Sequence, residues 1–421
     1  MQALAPDAKA RLTFLGLVLA LHVAMWTIAV SLAPSLMPRQ QMLAESISTF
    51  ALVLASVNLM LSTRPRFLER YLTGLDKLFV THRTIGLSVA LLVTAHFLIV
   101  PKSVGYVPSK PWGYTTLAFV LVTVFAASAP RFPWRRLVPL NYQTWKLAHR
   151  FNGMIVAMAA THSLFAHTYV RQVPVLAGYV YGVAALGLMA WLYRELLFPL
   201  TGPFSTFDVA QSKVLGGAVT EVTLAASSGS AIRDAGQFLF ASFSGGPSRE
   251  QHPFTVSSGT ADDIRFSIAA SGDFTSQLAG VPEGSTVRVE GPYGGFDYRR
   301  GLPHQLWLAG GIGITPFLSM AADLDDATRV LLVWSVREQR EAYYRDELAA
   351  VARAKPNLRF ELHPTSELGH LAVAALSLNA EPGEYSAFLC GPVPMRREFI
   401  AQLLSLGVPR KEIYFEEFRL R

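Results

Sequence analysis

Apolar residues are spread unevenly along this chain. Over roughly the first 200 positions they form long runs, and six of these approach the roughly 20 residues that a bilayer-spanning helix needs: 12–33, 43–62, 82–100, 112–129, 146–166 and 174–197. Residues 200–203, Leu-Thr-Gly-Pro, read as a linker. From 204 to 300 the pattern shortens to strand-like pieces at 206–210, 218–225, 237–242, 254–258, 264–270 and 286–290, separated by Gly and Ser turns. Regular short strands of this kind predict a small antiparallel barrel. From 304 onward, strands at 305–309, 330–335, 358–362 and 386–389 alternate with helices at 315–322, 343–354 and 393–406. That alternation predicts a doubly wound α/β nucleotide-binding domain. Three domains follow: a membrane α-helical bundle of six transmembrane helices at 1–200, an antiparallel β-barrel at 201–302 and an α/β domain at 303–421.

Charge adds an orientation. Lys9 and Arg11 precede the first run, Arg64, Arg66 and Arg70 follow the second, and Lys77 and Arg83 flank the start of the third. Arg131, Arg135 and Arg136 close the fourth, Lys146 and Arg150 open the fifth, and Arg194 ends the sixth. The positive-inside rule then places both ends of the bundle, and the soluble domains, in the cytoplasm. Lys102, Lys110 and Arg171 run against this but are fewer. The same residues account for the net charge of +7, so a nucleic-acid partner is not expected. The first run lacks a small-x-small cleavage site and is read as a span, not a leader. With Cys390 as its single cysteine, the chain has no intrachain disulfide and no cysteine-based metal cluster.

The ten histidines are the candidate metal ligands. His82 and His96 lie on the third run, His149 and His162 on the fifth. Ionisable residues inside a membrane are costly and tend to be functional. On an ideal helix 14 residues rise about 21 Å and return to within about 40° of the same face. His82 and His96 therefore face one neighbour at two depths. The 13-residue spacing of His149 and His162 aligns less well, and a kink or bulge near Gly153 is the expected correction. Two facing pairs at matched depths can each clamp one haem iron between imidazoles. His22 and His167 have no partner at matching depth. Arg83 and Arg150, beside the inner pair, read equally as haem-propionate partners or as ordinary positive-inside residues.

With two histidines on each of the third and fifth spans, the sequence resembles the NADPH oxidase and ferric reductase superfamily over nearly its whole length. The resemblance implies two stacked b-type haems held by His82, His96, His149 and His162. It also implies a ferredoxin-reductase-like module that binds FAD in the barrel and NADPH, with NADH as the alternative, in the α/β domain. His252-Pro253-Phe254-Thr255 then lines the flavin ring, with Thr255 near its reactive edge and His252 and Phe254 bordering it. Gly272, Phe274 and Thr275 open a helix whose free N–H groups suit the FAD pyrophosphate. Gly291 opens a turn at the flavin–nicotinamide border. Gly310, Gly311, Gly313, Thr315 and Pro316 form the family's Gly-Gly-x-Gly-x-Thr-Pro turn for the nucleotide pyrophosphate. Cys390-Gly391-Pro392 lies beside the nicotinamide, a buried structural cysteine being the plainer reading of Cys390. Arg337 suits an adenosine 2′-phosphate, against the plainer reading of a solvated arginine beside Glu338. Phe418 is the aromatic residue expected to cover the flavin.

The function implied is electron transfer from cytosolic NAD(P)H, through FAD and two haems, to oxygen or a ferric chelate on the far side of a bacterial inner membrane. Oxygen-reducing members carry a further histidine one turn beyond the outer ligand, where this chain has Val100; that weighs against dedicated superoxide production. A reductase of a periplasmic protein, or a non-redox FAD-binding membrane sensor, are the alternatives.

Overall fold

The computed structural model describes residues 6–34, 37–102, 107–128, 142–216, 219–226, 234–244, 251–257 and 263–416. The chain divides into two compact units, with the break between Gly202 and Pro203.

The helical unit contains α1 (Pro6–Leu32), α2 (Arg39–Ser62), α3 (Arg66–Tyr71), α4 (Leu75–Ile99), α5 (Lys110–Ser128), α6 (Tyr142–Arg150), α7 (Gly153–Phe165), α8 (Tyr169–Gln172), α9 (Pro174–Leu192) and α10 (Phe198–Thr201). Its core packs Trp26, Leu52, Val156, Tyr169 and Val180 together. Two buried polar pairs tie its helices together: Trp26 Nε1 donates to Thr49 Oγ1 at 3.1 Å, and the Tyr169 amide donates to Glu45 Oε2 at 2.7 Å. The outward faces are apolar as well, with Leu17, Leu91, Val122 and Leu186 exposed. Helices apolar on all sides are those of a membrane span or a large buried core. Five of the described helices are long and apolar enough to cross a bilayer.

The sequence pattern predicts six such helices, and the fifth, 146–166, is where the structure differs. It is broken into α6 and α7 at Phe151–Asn152. Across the break the amides turn to carbonyls three residues back: Asn152 to His149 at 3.2 Å, Met154 to Phe151 at 2.9 Å and Ile155 to Asn152 at 3.0 Å. The cause is packing. Trp191 of α9 lies against the first residue of α7, where a Cβ on Gly153 would stand 2.0 Å from its ring, and its indole N–H donates to the Arg150 carbonyl at 2.7 Å. Only glycine fits there, and the indole satisfies a carbonyl that the break releases.

The second unit begins with β1 (Phe204–Gly216), β2 (Val219–Ala226), β3 (Phe238–Phe243), β4 (His252–Thr255), β5 (Asp263–Ala269) and β6 (Thr286–Tyr293). They form an antiparallel sheet in the order β4-β3-β6-β1-β2-β5, and a bridge between Val256 and Phe266 joins its two edges into a closed barrel. Phe207, Val222, Phe243, Phe266 and Val287 fill the barrel. A single helical turn, α11 (Asp273–Gln277), follows β5.

The α/β part follows as β7 (His304–Gly310), α12 (Thr315–Asp323), β8 (Arg329–Val336), α13 (Arg345–Ala354), β9 (Leu358–Pro364), α14 (Thr365–Leu368), β10 (Tyr385–Cys390), α15 (Val393–Ser405) and β11 (Ile413–Phe415). All five strands are parallel, in the order β11-β10-β7-β8-β9. The order reverses between β7 and β10, and the carboxyl ends of strands flanking such a reversal form the ligand crevice of doubly wound folds. β11 has three residues, too short to stand out in the sequence pattern.

Candidate functional site

In the helical unit, His82 on α4 faces His149 on α6, with ring centroids 5.9 Å apart. His96, further along α4, faces His162 on α7 at 6.4 Å. On one ideal helix a 13-residue spacing would leave two side chains about 140° out of line. The break at 151–152 removes that constraint, because His149 and His162 stand on separate helices.

The rings are also held by their outer nitrogens. His96 Nδ1 lies 2.8 Å from the Ala44 carbonyl and His162 Nδ1 2.8 Å from the Ser109 carbonyl. A carbonyl only accepts, so Nδ1 carries the proton in each and Nε2 keeps its lone pair. Metal-binding histidines are fixed in this way. Gly113 allows the approach: a Cβ there would stand 2.8 Å from His162 Cε1. His149 Nδ1 lies 3.1 Å from the Asn152 amide nitrogen, while Asn152 Oδ1 is buried with no partner. Amide O and N are assigned from the hydrogen-bond network; with them exchanged, the oxygen accepts from His149 Nδ1–H, which gives His149 the same tautomer, and the NH2 takes the other buried position. His82 Nδ1 is buried, with the Asn58 backbone beside its ring.

Two imidazoles on opposite sides of one first-row metal, with bonds of about 2.0–2.1 Å, have centroids about 6 Å apart. Both pairs fit that spacing. Among the described residues no group of three or more His, Cys, Asp or Glu side chains could hold a metal. Each pair could offer two imidazole nitrogens to one metal. Of the two arginines considered for propionates, Arg150 is paired with Glu195 at 2.6 Å. His22 Nε2 contacts the Ser46 carbonyl at 3.1 Å, a helix-to-helix bond.

In the second unit the Gly-rich turn leaves β7 at the reversal point. Gly310 ends the strand, Gly311–Ile314 form a tight turn, and Thr315 and Pro316 start α12. Contact requires glycine at 313, and backbone conformation favours it at 391. A Cβ on Gly313 would stand 2.3 Å from the Cys390 carbonyl, and one on Gly391 would stand 2.5 Å from Met395 Cε, at φ +157°. The turns after β7 and β10 therefore interlock. Gly311 stays exposed, its carbonyl held by Trp334 Nε1 at 2.8 Å. Thr315 is buried, and its hydroxyl donates to the Ile312 carbonyl at 3.2 Å.

Cys390 is fully buried in the core of the α/β part. Burial, with the Glu416 carboxylate nearby, pushes its thiol well above the ordinary range, so it is neutral and carries no thiolate chemistry. Its placement matches the structural reading. Arg337 is exposed just past the end of β8, and Glu338 pairs instead with Arg340 at 2.6 Å.

On β4 the strand's alternation decides which side chains are available. Phe254 turns inward onto Phe243 and Phe266 as a core residue. His252 stacks on Phe274 at 3.8 Å between centroids. Pro253 and Thr255 pair with Phe240 and Phe238 of β3. The expected helix end at Gly272 is one turn long, and Thr275 Oγ1 accepts from the amides of Ser271 and Gly272 at 2.9 and 3.1 Å. Those two donors are thereby taken from any phosphate. Gly291 stands on β6 at φ +142°, where an added Cβ would meet the Leu239 side chain at 2.8 Å. Phe418 lies outside the described residues.

Residues 204–296 match the FAD-binding domain model and residues 307–399 the oxidoreductase NAD-binding domain model. Residues 204–399 are a ferredoxin-reductase-like FAD- and NAD-binding module. Among its relatives, the reductase component of propane 2-monooxygenase from Rhodococcus jostii is 25% identical over 195 residues, 41% of this chain and 52% of that protein. The ferredoxin reductase component of 3-ketosteroid-9-alpha-monooxygenase from Rhodococcus rhodochrous is 32% identical over 143 residues, 33% of this chain and 40% of that protein. The chain thus spans about half or less of the length of these two relatives. A solved flavohemoglobin from Malassezia yamatoensis with bound FAD and heme aligns with 94% of this chain and 99% of its own at 17% identity and a TM-score of 0.51, a likeness of fold alone.

The sequence pattern did not reveal what joins the two halves of the reductase module. Arg265 of β5 binds both carboxylate oxygens of Glu347 on α13, at 2.7 and 2.9 Å. Tyr344, just before α13, contacts Ser267 of β5 at 2.5 Å and donates to Glu221 of β2 at 2.9 Å. The partners are separated by 77 to 123 positions, so local pattern carries no sign of them.

Proposed function

We propose that the protein is a transmembrane oxidoreductase of the NADPH oxidase and ferric reductase type, moving electrons from NAD(P)H to an acceptor across the membrane. The observation that carries this reading is the pair of facing imidazole couples, 5.9 and 6.4 Å between rings, at two levels along α4 in a unit with apolar outer faces. When bound, FAD converts two-electron to one-electron chemistry and haem relays single electrons. His82 with His149, and His96 with His162, hold the two irons. The Ala44 and Ser109 carbonyls fix two of those rings and raise their basicity as ligands. α6 and α7 cross the bilayer together as the fifth span. Thr255 faces the flavin, His252 stands at the start of the same strand against Phe274, the turn from Gly310 to Pro316 takes the nucleotide's pyrophosphate at the start of α12, and exposed Arg337 takes an adenosine 2′-phosphate. The basic flanks of the apolar runs put this module in the cytoplasm and the acceptor, oxygen or a ferric chelate, outside.

The test is direct. The protein is purified in detergent, its haem and FAD are counted, and it is reduced anaerobically with NADPH before oxygen or a ferric chelate is added. Two haems per chain, reduced by NADPH and reoxidised by one of these acceptors, are expected. A protein without haem absorbance would overturn the proposal. Reduced haems that neither acceptor reoxidises would favour a protein partner instead, the reading suggested by relatives named as reductase components.

A further inference from the structure

Hydride passes only between a nicotinamide and a flavin held in contact, and misplacement by about 1 Å can slow a reaction about 100-fold. Barrel and α/β part are joined in the chain by residues 294–303, whose Phe296 and Tyr298 are anchored in the α/β core. One linker leaves rotation about it free, so a second attachment is needed to set the angle.

We propose that Tyr344, supported by Arg265 and Glu347, is that attachment: a positioning residue for hydride transfer between NAD(P)H and FAD. Its hydrogen bonds form a connected network, in which Ser257 Oγ also donates to the Arg265 carbonyl at 3.0 Å. Arg265 Nε donates to Ser257 Oγ at 3.3 Å, and Ser257 Oγ lies 2.9 Å from Ser267 Oγ. Tyr344 has one hydroxyl proton, and it goes to Glu221; Ser267 must therefore donate to the phenol oxygen. The bonds from Ser267 through the phenol to the Glu221 carboxylate run in one direction, and bonds so ordered reinforce each other. Burial, with the Glu221 carboxylate beside it, keeps the phenol protonated far into alkaline conditions. Arg265 also donates to the Ser257 carbonyl at 2.7 Å, two residues beyond Thr255 on the strand assigned to the flavin. The network thus ties the start of α13 to the end of β4. A polar network has one satisfied geometry, whereas an apolar contact slides. A further bond, from the Gly236 amide to Ser319 Oγ at 3.0 Å, is neutral and links a different loop to α12.

The inference rests on the NAD(P)H-to-flavin step of the proposed function and not on the haems. Tyr344→Phe removes one oxygen and keeps the ring. Anaerobic stopped-flow reduction of flavin is followed in the full-length protein with NADPH, and with NADPH deuterated at the transferred position. Wild type must first show flavin reduction; if it does not, the proposed function fails and not this inference. The variant's limiting rate should fall about tenfold or more, with a larger deuterium effect, while FAD content and NADPH affinity stay within about twofold. Glu221→Gln, which keeps an acceptor for the phenol, should retain most of the rate. An unchanged limiting rate, with or without a lower melting temperature, would overturn the proposal, leaving a brace. Loss of rate and affinity together would also overturn it, making Tyr344 a nucleotide contact.

Discussion

Gly153→Ala tests how the helical unit sets its histidines. The new methyl would stand 2.0 Å from Trp191 Cδ2 and 2.5 Å from two further ring carbons, so the indole must move. Overpacking of this kind costs about 1–3 kcal/mol. Losing the 2.7 Å bond from Trp191 to the Arg150 carbonyl adds about 1 kcal/mol. Alanine's better helix propensity offsets about 1 kcal/mol, leaving a net loss of about 1–3 kcal/mol. The larger effect is geometric. Once Trp191 moves, α6 and α7 can straighten toward one helix, and His149 turns away from His82 by up to about 140°. In the purified variant the inner pair should lose its low-spin bis-histidine signal in EPR, with the outer pair retained. Trp191→Ala alone should weaken the same signal, since the break depends on that indole. A single variant that keeps both low-spin signals and its melting temperature would refute the reasoning.

Three other outcomes are expected. His96→Leu should leave about one haem per chain and abolish acceptor reduction, yet keep NADPH reduction of the flavin; two haems in that variant would remove His96 from the ligand set. Arg337→Ala should weaken NADPH about 10- to 100-fold, the worth of a charge-assisted phosphate contact of about 1.5–3 kcal/mol, and leave NADH nearly unchanged; titrating flavin reduction with each nucleotide checks this. Cys390 gives a pH dependence: below about pH 8.5 the thiol is protonated in both states, but above it only the unfolded chain ionises, so stability falls as pH rises. Denaturant midpoints between about pH 8 and 10 should therefore decline less in Cys390→Ala than in wild type.

Much of the architecture is written in local pattern. Period-2 alternation and apolar run length are properties of neighbouring residues, so the barrel strands, the β7–β10 order of strand and helix, and five long apolar helices are legible without coordinates. The turn from Gly310 to Pro316 is legible for the same reason, since its glycines and the helix start are contiguous. What the pattern could not decide involves partners far apart in the chain. The break at 151–152 depends on Trp191, about 40 positions away in sequence and in contact only after α9 folds back. The alternation of β4 says that Phe254 and Thr255 face opposite ways, but only the closed barrel decides that Phe254 is the one inside. The hydroxyl of Thr275 competes for amides that a helix end would otherwise offer to phosphate, a choice among hydrogen bonds of similar strength that geometry settles. Tyr344 and Arg265 find their partners 77 to 123 positions away. Local sequence sets which conformations are cheap; which side chains meet is set by packing, because each such contact closes a long loop and forms only when the whole core supports it.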